Sequence, residues 1–305
     1  MHPRLPRPMK SGTANLLQML EARVKELCHQ EKWDEAVHAA ETAVRKAREV
    51  GEAEPDIVSE LALSLEVKGL RQIGRVEDAL NDYREGLELL DGREAYQEQI
   101  ARINASVAVI LDDHGDAEGA KAHYRYAISI FEAMDPPSDL DVADLSNNLA
   151  FLFEAEGDYD EAESLLLRAL KLSHDLLGTD NAETASICNN LGTLYQKTRH
   201  FERAKEMHCM ALKARESQHG ENHPDTGQSH ANLAVALAET RLYVEAKKHF
   251  ELAMVILERN IEKVPVDYET VALNYVQFLQ AIGDKKGALQ VAKRSTKRIK
   301  KLLRR

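Results

Sequence analysis

The stretch SNNLAFLFEAEGDYDEAESLLLRAL, which begins at Ser146, decides the fold because the chain repeats it. The sequence reads CNNLGTLYQKTRHFERAKEMHCMAL 42 residues later, from Cys188, and HANLAVALAETRLYVEAKKHFELAM a further 42 residues on, from His230. A fixed period of this kind is typical of repeat architectures, in which each copy packs on the next.

Two columns of small residues extend the repeat along the chain. The first recurs at intervals of 41 to 43 residues and consists of Ala36, Ala79, Ala120, Ala162, Ala204, Ala246 and Ala288. The second follows seven residues later and consists of Ala43, Gly86, Ala127, Ala169, Ala211, Ala253 and Ser295. We therefore expect seven copies of one unit.

Each unit has the apolar spacing of two helices. The first stripe in the fourth unit consists of Val142, Leu145, Leu149, Leu152 and Phe153, and the second consists of Ala162, Leu165, Leu166, Ala169, Leu170 and Ser173. Both stripes follow a helical period, and the turn signal Gly157-Asp158 separates them. The unit is therefore predicted to be an antiparallel helical hairpin that must stack to bury its apolar side.

Composition supports an all-α class. Aromatic residues make up 5% of the 305 residues and charged residues 30%, and no apolar run approaches the roughly 18 residues of a membrane span. Propeller blades would need alternating strands, and HEAT units lack the paired small residues with an aromatic residue three positions earlier. The three cysteines, Cys28, Cys188 and Cys209, favour reduced thiols in a cytoplasmic protein.

Charge divides the chain into three segments. Residues 293–305 hold eight basic and no acidic residues, and the first ten residues hold three basic and no acidic ones. The other 29 basic residues lie among 51 acidic ones, so the central part carries a net charge of −22. We expect a disordered leader over 1–13, a solenoid over 14–292 and a basic C-terminal helix or tail over 293–305.

The pattern resembles the tetratricopeptide repeat. Leu149, Ala150 and Phe153 match its first helix, and Ala162 and Ala169 match its second. The 42-residue period and the connector HGENHPDT at 219–226 are similar to the kinesin light chain type, closely over about 140–262 and more loosely over 16–137. The resemblance implies an all-α tetratricopeptide repeat superhelix.

One feature departs from the kinesin light chains. In those proteins a long heptad segment ahead of the repeats binds the motor heavy chain, whereas about 15 residues precede the first predicted helix in this sequence. We therefore expect no motor heavy chain as a partner. Stand-alone chains of this type occur in bacteria, including one that accompanies bacterial tubulin filaments, and the resemblance suggests a chain of that sort.

The resemblance places the first helix of each repeat on a concave groove. Asparagine is a poor helix-interior residue, yet it recurs there as Asn148, Asn190, Asn232 and Asn274, and it is doubled by Asn147 and Asn189. One interpretation is a ladder of carboxamides that binds an extended peptide. The alternative is that these side chains bond the neighbouring repeat and fix the twist of the stack.

Two further candidate partner sites stand beside the asparagines. Phe151 has Thr193, Val235 and Gln277 as its equivalents, so it is either an anchor pocket or helix-edge packing. In the tail, the candidate cations are Lys297, Arg298, Lys300 and Lys301. They suit a solvated capping helix or a contact with an acidic partner, such as a tubulin-like C-terminal region. Nucleic acid or an anionic membrane surface is a further alternative.

The sequence shows no motif of a catalytic, metal-binding or phosphate-binding site. Groupings such as His208-Cys209 and His219-x-x-x-His223 lack the two-plus-two spacing of a zinc site, and GLRQIGR at 69–75 lacks the Lys-Ser/Thr of a phosphate loop. We expect no catalysis, no cofactor and no metal. The sequence predicts a cytoplasmic protein-binding adaptor, with a tubulin-like filament as one candidate partner. The alternative is a peptide-sensing regulator whose basic tail contacts nucleic acid.

Overall fold

The computed structural model of the chain describes residues 32–50, 74–90 and 96–303, together with several single positions between 16 and 30. The predicted leader over 1–13 lies outside the described residues. The chain forms two compact units, Met1–Ser138 and Asp139–Arg305.

Every regular element in the described part of the chain is helical. The first unit contains α1 (Trp33–Val50), α2 (Val76–Leu90), α3 (Gln97–Asp113) and α4 (Ala117–Ala133). The second contains α5 (Asp139–Glu156), α6 (Tyr159–Leu177), α7 (Ala182–Lys197), α8 (Phe201–His219), α9 (Pro224–Glu239), α10 (Tyr243–Arg259), α11 (Pro265–Ala281) and α12 (Lys285–Leu302). This confirms the predicted all-α class.

Helices of the second unit form four consecutive hairpins, α5/α6, α7/α8, α9/α10 and α11/α12. The second helix of each hairpin packs against the first helix of the next, so the hairpins stack. The first helices of adjacent hairpins also contact one another directly. In the first unit, α3 and α4 form a hairpin of the same type, and α2 packs against α3.

The columns of small residues lie where the helices approach each other. All seven alanines of the first column are buried, with exposed fractions between 0 and 3%. In the second column only Ser295 is partly exposed. In α5 the predicted apolar stripe is buried in full, and the helix extends beyond the predicted 142–153 to Asp139–Glu156.

The turn inside each hairpin has one conformation. Gly115, Gly157 and Gly283 adopt φ angles of 82° to 85°, in the left-handed region that glycine enters without a steric penalty. Arg199 and Arg241 hold the same position in the two remaining turns, with φ of 64° and 63°. None of the described helices is both long and apolar enough to cross a membrane.

Candidate protein-binding surface

The first helix of the fourth repeat, α5, presents one exposed stripe. Leu140, Asp144, Asn147 and Phe151 recur at three- and four-residue spacing and therefore share a side of the helix. Leu140 is 41% exposed and Phe151 46% exposed, while Asn147 is half-buried. Phe151 and Leu140 together leave apolar surface in water on this side of the helix.

The asparagines of this surface bond one another across the stack. Nδ2 of Asn190 donates to Oδ1 of Asn147 at 2.8 Å, and Nδ2 of Asn232 donates to Oδ1 of Asn189 at 2.7 Å. Each bond joins the first helices of adjacent repeats. Such contacts are expected if the asparagine column fixes how adjacent repeats stack. They also explain why asparagine is doubled in repeats four and five, because Asn147 and Asn189 are the acceptors of these bonds.

Part of the hydrogen-bonding capacity of these asparagines stays open. Within the described residues, the amide of Asn147 and the carbonyl of Asn190 have no hydrogen-bond partner. The same holds for the whole side chains of Asn148 and Asn274, both half-buried. A carboxamide offers two donors and an acceptor with two lone pairs, so inter-repeat bonding and ligand bonding are compatible.

Replacing Asn190 by Ala is expected to destabilise the second unit by about 1 kcal/mol, because the hydrogen bond to Asn147 is lost. Chemical denaturation followed by circular dichroism measures this change. Asn148→Ala is the matched control, since Asn148 makes no such bond, and alanine raises helix propensity there. A cycle with Asn147→Ala completes the test: equal losses for the single and double variants are expected, and additive losses contradict the ladder.

A cleft of about 380 Å³ opens between α5 and α7 beside this stripe. Carboxylates of Asp141, Asp144 and Glu183 line it together with the apolar side chains of Leu140 and Ile187. Burial, assisted by the negative charge of Asp141, raises the pKa of Asp144. A cationic group entering the cleft would reverse that effect.

Two further polar side chains of the first helices, Glu154 and Gln196, are engaged within the stack. Glu154 is buried and forms an ion pair with Lys197 on α7. The amide oxygen of Gln196 lies 3.3 Å from Nε2 of His208, inside the α7/α8 hairpin. Glu154 therefore contributes no unpaired charge to the groove, and the Nε2 atom of Gln196, which has no partner among the described residues, is buried. The acidity of the groove comes from the cleft residues.

The basic segment is not separate from the last repeat. Helix α12 runs without a break from Lys285 to Leu302, so residues 293–302 are its second half. Arg294 and Arg298 both donate to the carboxylate of Glu258 on α10, whose side chain is only 8% exposed. A buried carboxylate needs such compensation, so Arg298 is engaged within the molecule. The other three candidate cations of the tail form no hydrogen bond or ion pair with a described residue. They are Lys297, Lys300 and Lys301.

Histidine side chains lie inside the hairpins of repeats five and six. The ring of His208 is 1% exposed and lies against Gly192, where a Cβ atom would come within 2.6–2.7 Å of it. Burial, with a smaller contribution from Arg215, lowers the pKa of His208 to about 4. The sequence analysis did not identify this contact, although the repeat register contains a signal for it. Repeats four and six have alanine at the position of Gly192, and they have Leu166 and Phe250 at the position of His208.

A second histidine contact joins α9 and α10. Nδ1 of His230 lies 2.9 Å from Nδ1 of His249, so only one of the two facing nitrogens can carry a proton. Burial lowers the pKa of His230 to about 4, and it lowers that of His249 as well. The described residues contain no group of three or more His, Cys, Asp or Glu side chains that could hold a metal ion.

The cysteines differ in environment. Cys188 is buried in α7, and burial raises its pKa to about 11, whereas Cys209 is exposed on α8. Both are free thiols. Cys28 lies outside the described residues.

A stack of helical hairpins with a repeated, partly exposed polar face defines a helical-repeat scaffold. Residues 141–217 match the tetratricopeptide repeat family. The helical hairpins formed by these residues are thus tetratricopeptide repeats, and the chain is similar to proteins of the kinesin light chain type, as the sequence resemblance predicts. Tetratricopeptide repeats are protein-interaction modules, so the chain has the architecture of a scaffold that binds proteins or peptides.

Solved structures agree with this class. BtubC (BKLC) from P. vanneervenii is 27% identical with a TM-score of 0.67, and the match covers 73% of this chain and 90% of that one. A putative kinesin light chain from Podosopora anserina with nearly identical TPR-like repeats is 17% identical with a TM-score of 0.58, covering 68% and 99%. The apo form of RapI is 16% identical with a TM-score of 0.73, covering 94% and 77%. No curated protein matches the sequence.

Proposed function

We propose that the chain is a non-catalytic cytoplasmic adaptor whose first helices bind an extended segment of a partner protein. The observation that carries this proposal is the exposed stripe of α5 beside the acidic cleft. Phe151 supplies an apolar anchor, and Asn147 supplies an unused amide donor next to it. Apolar anchors contribute most of the affinity at such surfaces, while hydrogen bonds set register and orientation.

Charge narrows the class of ligand. Asp141, Asp144 and Glu183 line the cleft next to this anchor, and none of the described residues that line it is basic. A segment that carries an apolar residue followed by a lysine or arginine would place the cation among the carboxylates and the apolar group near Phe151. The groove is thus suited to a polar or partly basic peptide.

The basic half of α12 supplies a second contact in this proposal. Lys297, Lys300 and Lys301 are exposed and unpaired among the described residues. They lie at the opposite end of the second unit's sequence from the acidic cleft, so one partner with both charges, or two partners, can be held. A tubulin-like filament with an acidic C-terminal region fits the lysines, and the similarity to BtubC (BKLC) supports testing this partner first.

Photo-cross-linking tests the proposal. We would place p-benzoylphenylalanine at position 151 or, as a control, at Tyr159, which is 38% exposed on the second helix of the same hairpin. Incubation with a polymerised tubulin-like protein is expected to give a cross-link from position 151 and none from position 159. Phe151→Ala should weaken co-sedimentation of the chain by about tenfold, the loss of roughly 1.4 kcal/mol.

The outcomes separate the parts of the proposal. A cross-link from position 151 to a different protein in native lysate, with no co-sedimentation of the chain with the filament, retains the groove and rejects the filament. Equal cross-linking from positions 151 and 159 rejects the groove. Retardation of nucleic acid that disappears in Lys297→Glu/Lys301→Glu would favour a regulator that contacts nucleic acid through α12.

A further inference from the structure

The outer side of α12 is an open groove of about 630 Å³. We call it the lysine groove, and its lining residues are Ala292, Lys293, Thr296, Lys297, Lys300 and Lys301. None of these residues is acidic, and none of the four lysines forms a hydrogen bond or ion pair with a described residue. Four unpaired ammonium groups along one helix repel each other, so an acidic ligand would stabilise this face.

The repeat register shows what covers this side of a second helix. Phe250 and Met254 on α10 hold the positions of Ala292 and Thr296, 42 residues earlier. Phe250 is buried because its ring lies 5.1 Å from that of Tyr275 and 5.3 Å from that of Phe278, both on α11. The lysine groove is therefore the face that receives the first helix of the following repeat elsewhere in the stack.

The charge of this face is reversed on α12. Glu251 of α10 accepts a hydrogen bond from the hydroxyl of Tyr275 on α11 at 3.3 Å. At the same register α12 has Lys293, and at the register of Glu258 it has Lys300. The docked helix α11 donates to Glu251, and α12 of the same hairpin donates to Glu258. A helix docked on α12 would instead have to offer acceptors to the lysines at these positions.

Apolar surface is also left exposed beside the groove. Leu273 on α11 is 56% exposed, although its equivalent on α9, Ala231, is 2% exposed in the core that α9 and α10 share with α11. Leu289 on α12 is 56% exposed as well. Because α11 contacts both α9 and α10, a helix in the equivalent position would cover Leu273 and the lysine groove together.

We infer that this composite face binds an acidic amphipathic α-helix of a partner protein, docked on α11 and α12 as α11 docks on α9 and α10. The apolar side of that helix covers Leu273, Leu289 and Ala292, and glutamates or aspartates on its flank pair with Lys293 and Lys300. This inference rests on the proposed adaptor function and specifies the partner class for the basic end. It requires a helix, whereas charge attraction alone would accept any acidic segment.

The probe is a fluorescein-labelled peptide of about 18 residues, five turns of helix, with leucines on one side and glutamates on both flanks. Fluorescence anisotropy with the full chain at about 50 mM salt measures its affinity. We expect this peptide to bind. A scrambled peptide of identical composition keeps the charge but loses the apolar side, and its affinity should be at least about tenfold weaker. Circular dichroism is expected to show a gain of peptide helicity on binding.

Matched variants locate the site. Lys293→Glu/Lys300→Glu should weaken binding by at least about tenfold, whereas Lys285→Glu/Lys286→Glu, an equal charge change at the other end of α12, should leave it within about twofold. Equal binding of the scrambled peptide would show an electrostatic contact only and overturns the inference. Absence of binding, or equal losses in both variants, also overturns it. Cross-linking from position 151 is unaffected by these outcomes, so the two proposals can fail separately.

Discussion

Acidification from about pH 7.5 to about pH 4.5 is expected to remove roughly 5 kcal/mol of folding free energy through two histidines. His208 and His230 are buried and neutral in the folded chain, where burial lowers their pKa values to about 4. In the unfolded chain the same groups protonate near their ordinary value of about 6.5. Below that pH only the unfolded state binds these protons, so stability is fully present above about pH 6.5 and is lost as the pH falls towards 4.

The surrounding groups leave this sign unchanged. Arg215 adds to the depression at His208, and Lys248 adds to that at His249. Glu216 lies 3.7 Å from Nε2 of His230 and would stabilise a protonated ring, but burial and the facing His249 outweigh it. Each histidine that is neutral only in the folded state contributes about 1.4 kcal/mol per pH unit within this window.

Urea denaturation at a series of pH values measures the effect, and the repeats themselves supply the control. Leucine holds the position of His208 in α6, and Cys188 and Met207 hold the positions of His230 and His249 in the preceding hairpin. The variant His208→Leu/His230→Cys/His249→Met is therefore expected to fold and to lose less stability on acidification by about 5 kcal/mol. Parallel pH profiles for the two proteins would show that the histidines do not carry the acid sensitivity.

Replacing Phe250 by Ala is expected to cost about 3–5 kcal/mol, because it removes a fully buried ring and leaves a cavity. The ring stacks on Tyr275 and contacts Phe278 on α11, so it joins repeats six and seven. In a stack held together by contacts between neighbouring repeats, the loss falls on that interface. We expect α11 and α12 to open before the other hairpins of the second unit.

Hydrogen exchange followed by mass spectrometry resolves this location. Amides of α11 and α12 should exchange faster in Phe250→Ala by up to about three orders of magnitude, while those of α5 and α6 change little. Val244→Ala in the same helix is the control, since Val244 is 82% exposed and its loss should cost under about 0.5 kcal/mol. Uniformly faster exchange across α5–α12 would mean that the second unit unfolds as one block.

Much of the architecture could be predicted from local pattern. The alanine columns identify the helix contacts because only small residues allow the observed approach, and a period of 42 leaves little freedom in how copies stack. The turns show the limit of such reasoning. Glycine marks the left-handed position in three of the described hairpins, but Arg199 and Arg241 adopt it without a sequence signal, since packing of the flanking helices imposes the turn.

The candidate site was less predictable because its contacts cross from one repeat to the next. The sequence presents Asn147, Asn189, Asn190 and Asn232 as a column, and periodicity places them on the first helices. Which of them bond each other depends on the offset between adjacent hairpins, and that offset joins Asn190 to Asn147 rather than to its own equivalent, Asn148. The same offset engages Glu154 with Lys197.

The sequence by itself determined the all-α class, the repeat and the residues at the helix contacts, because these follow from spacing along one chain. Only the tertiary structure decided which polar groups remain open to a partner. Arg298 is no longer available to a partner because it pairs with Glu258, whereas Phe151, Leu273 and the lysines of α12 remain exposed. The physical reason is that a charge or amide is satisfied by whatever lies within about 3 Å of it, and in a stacked repeat that neighbour is roughly 40 residues away in the sequence.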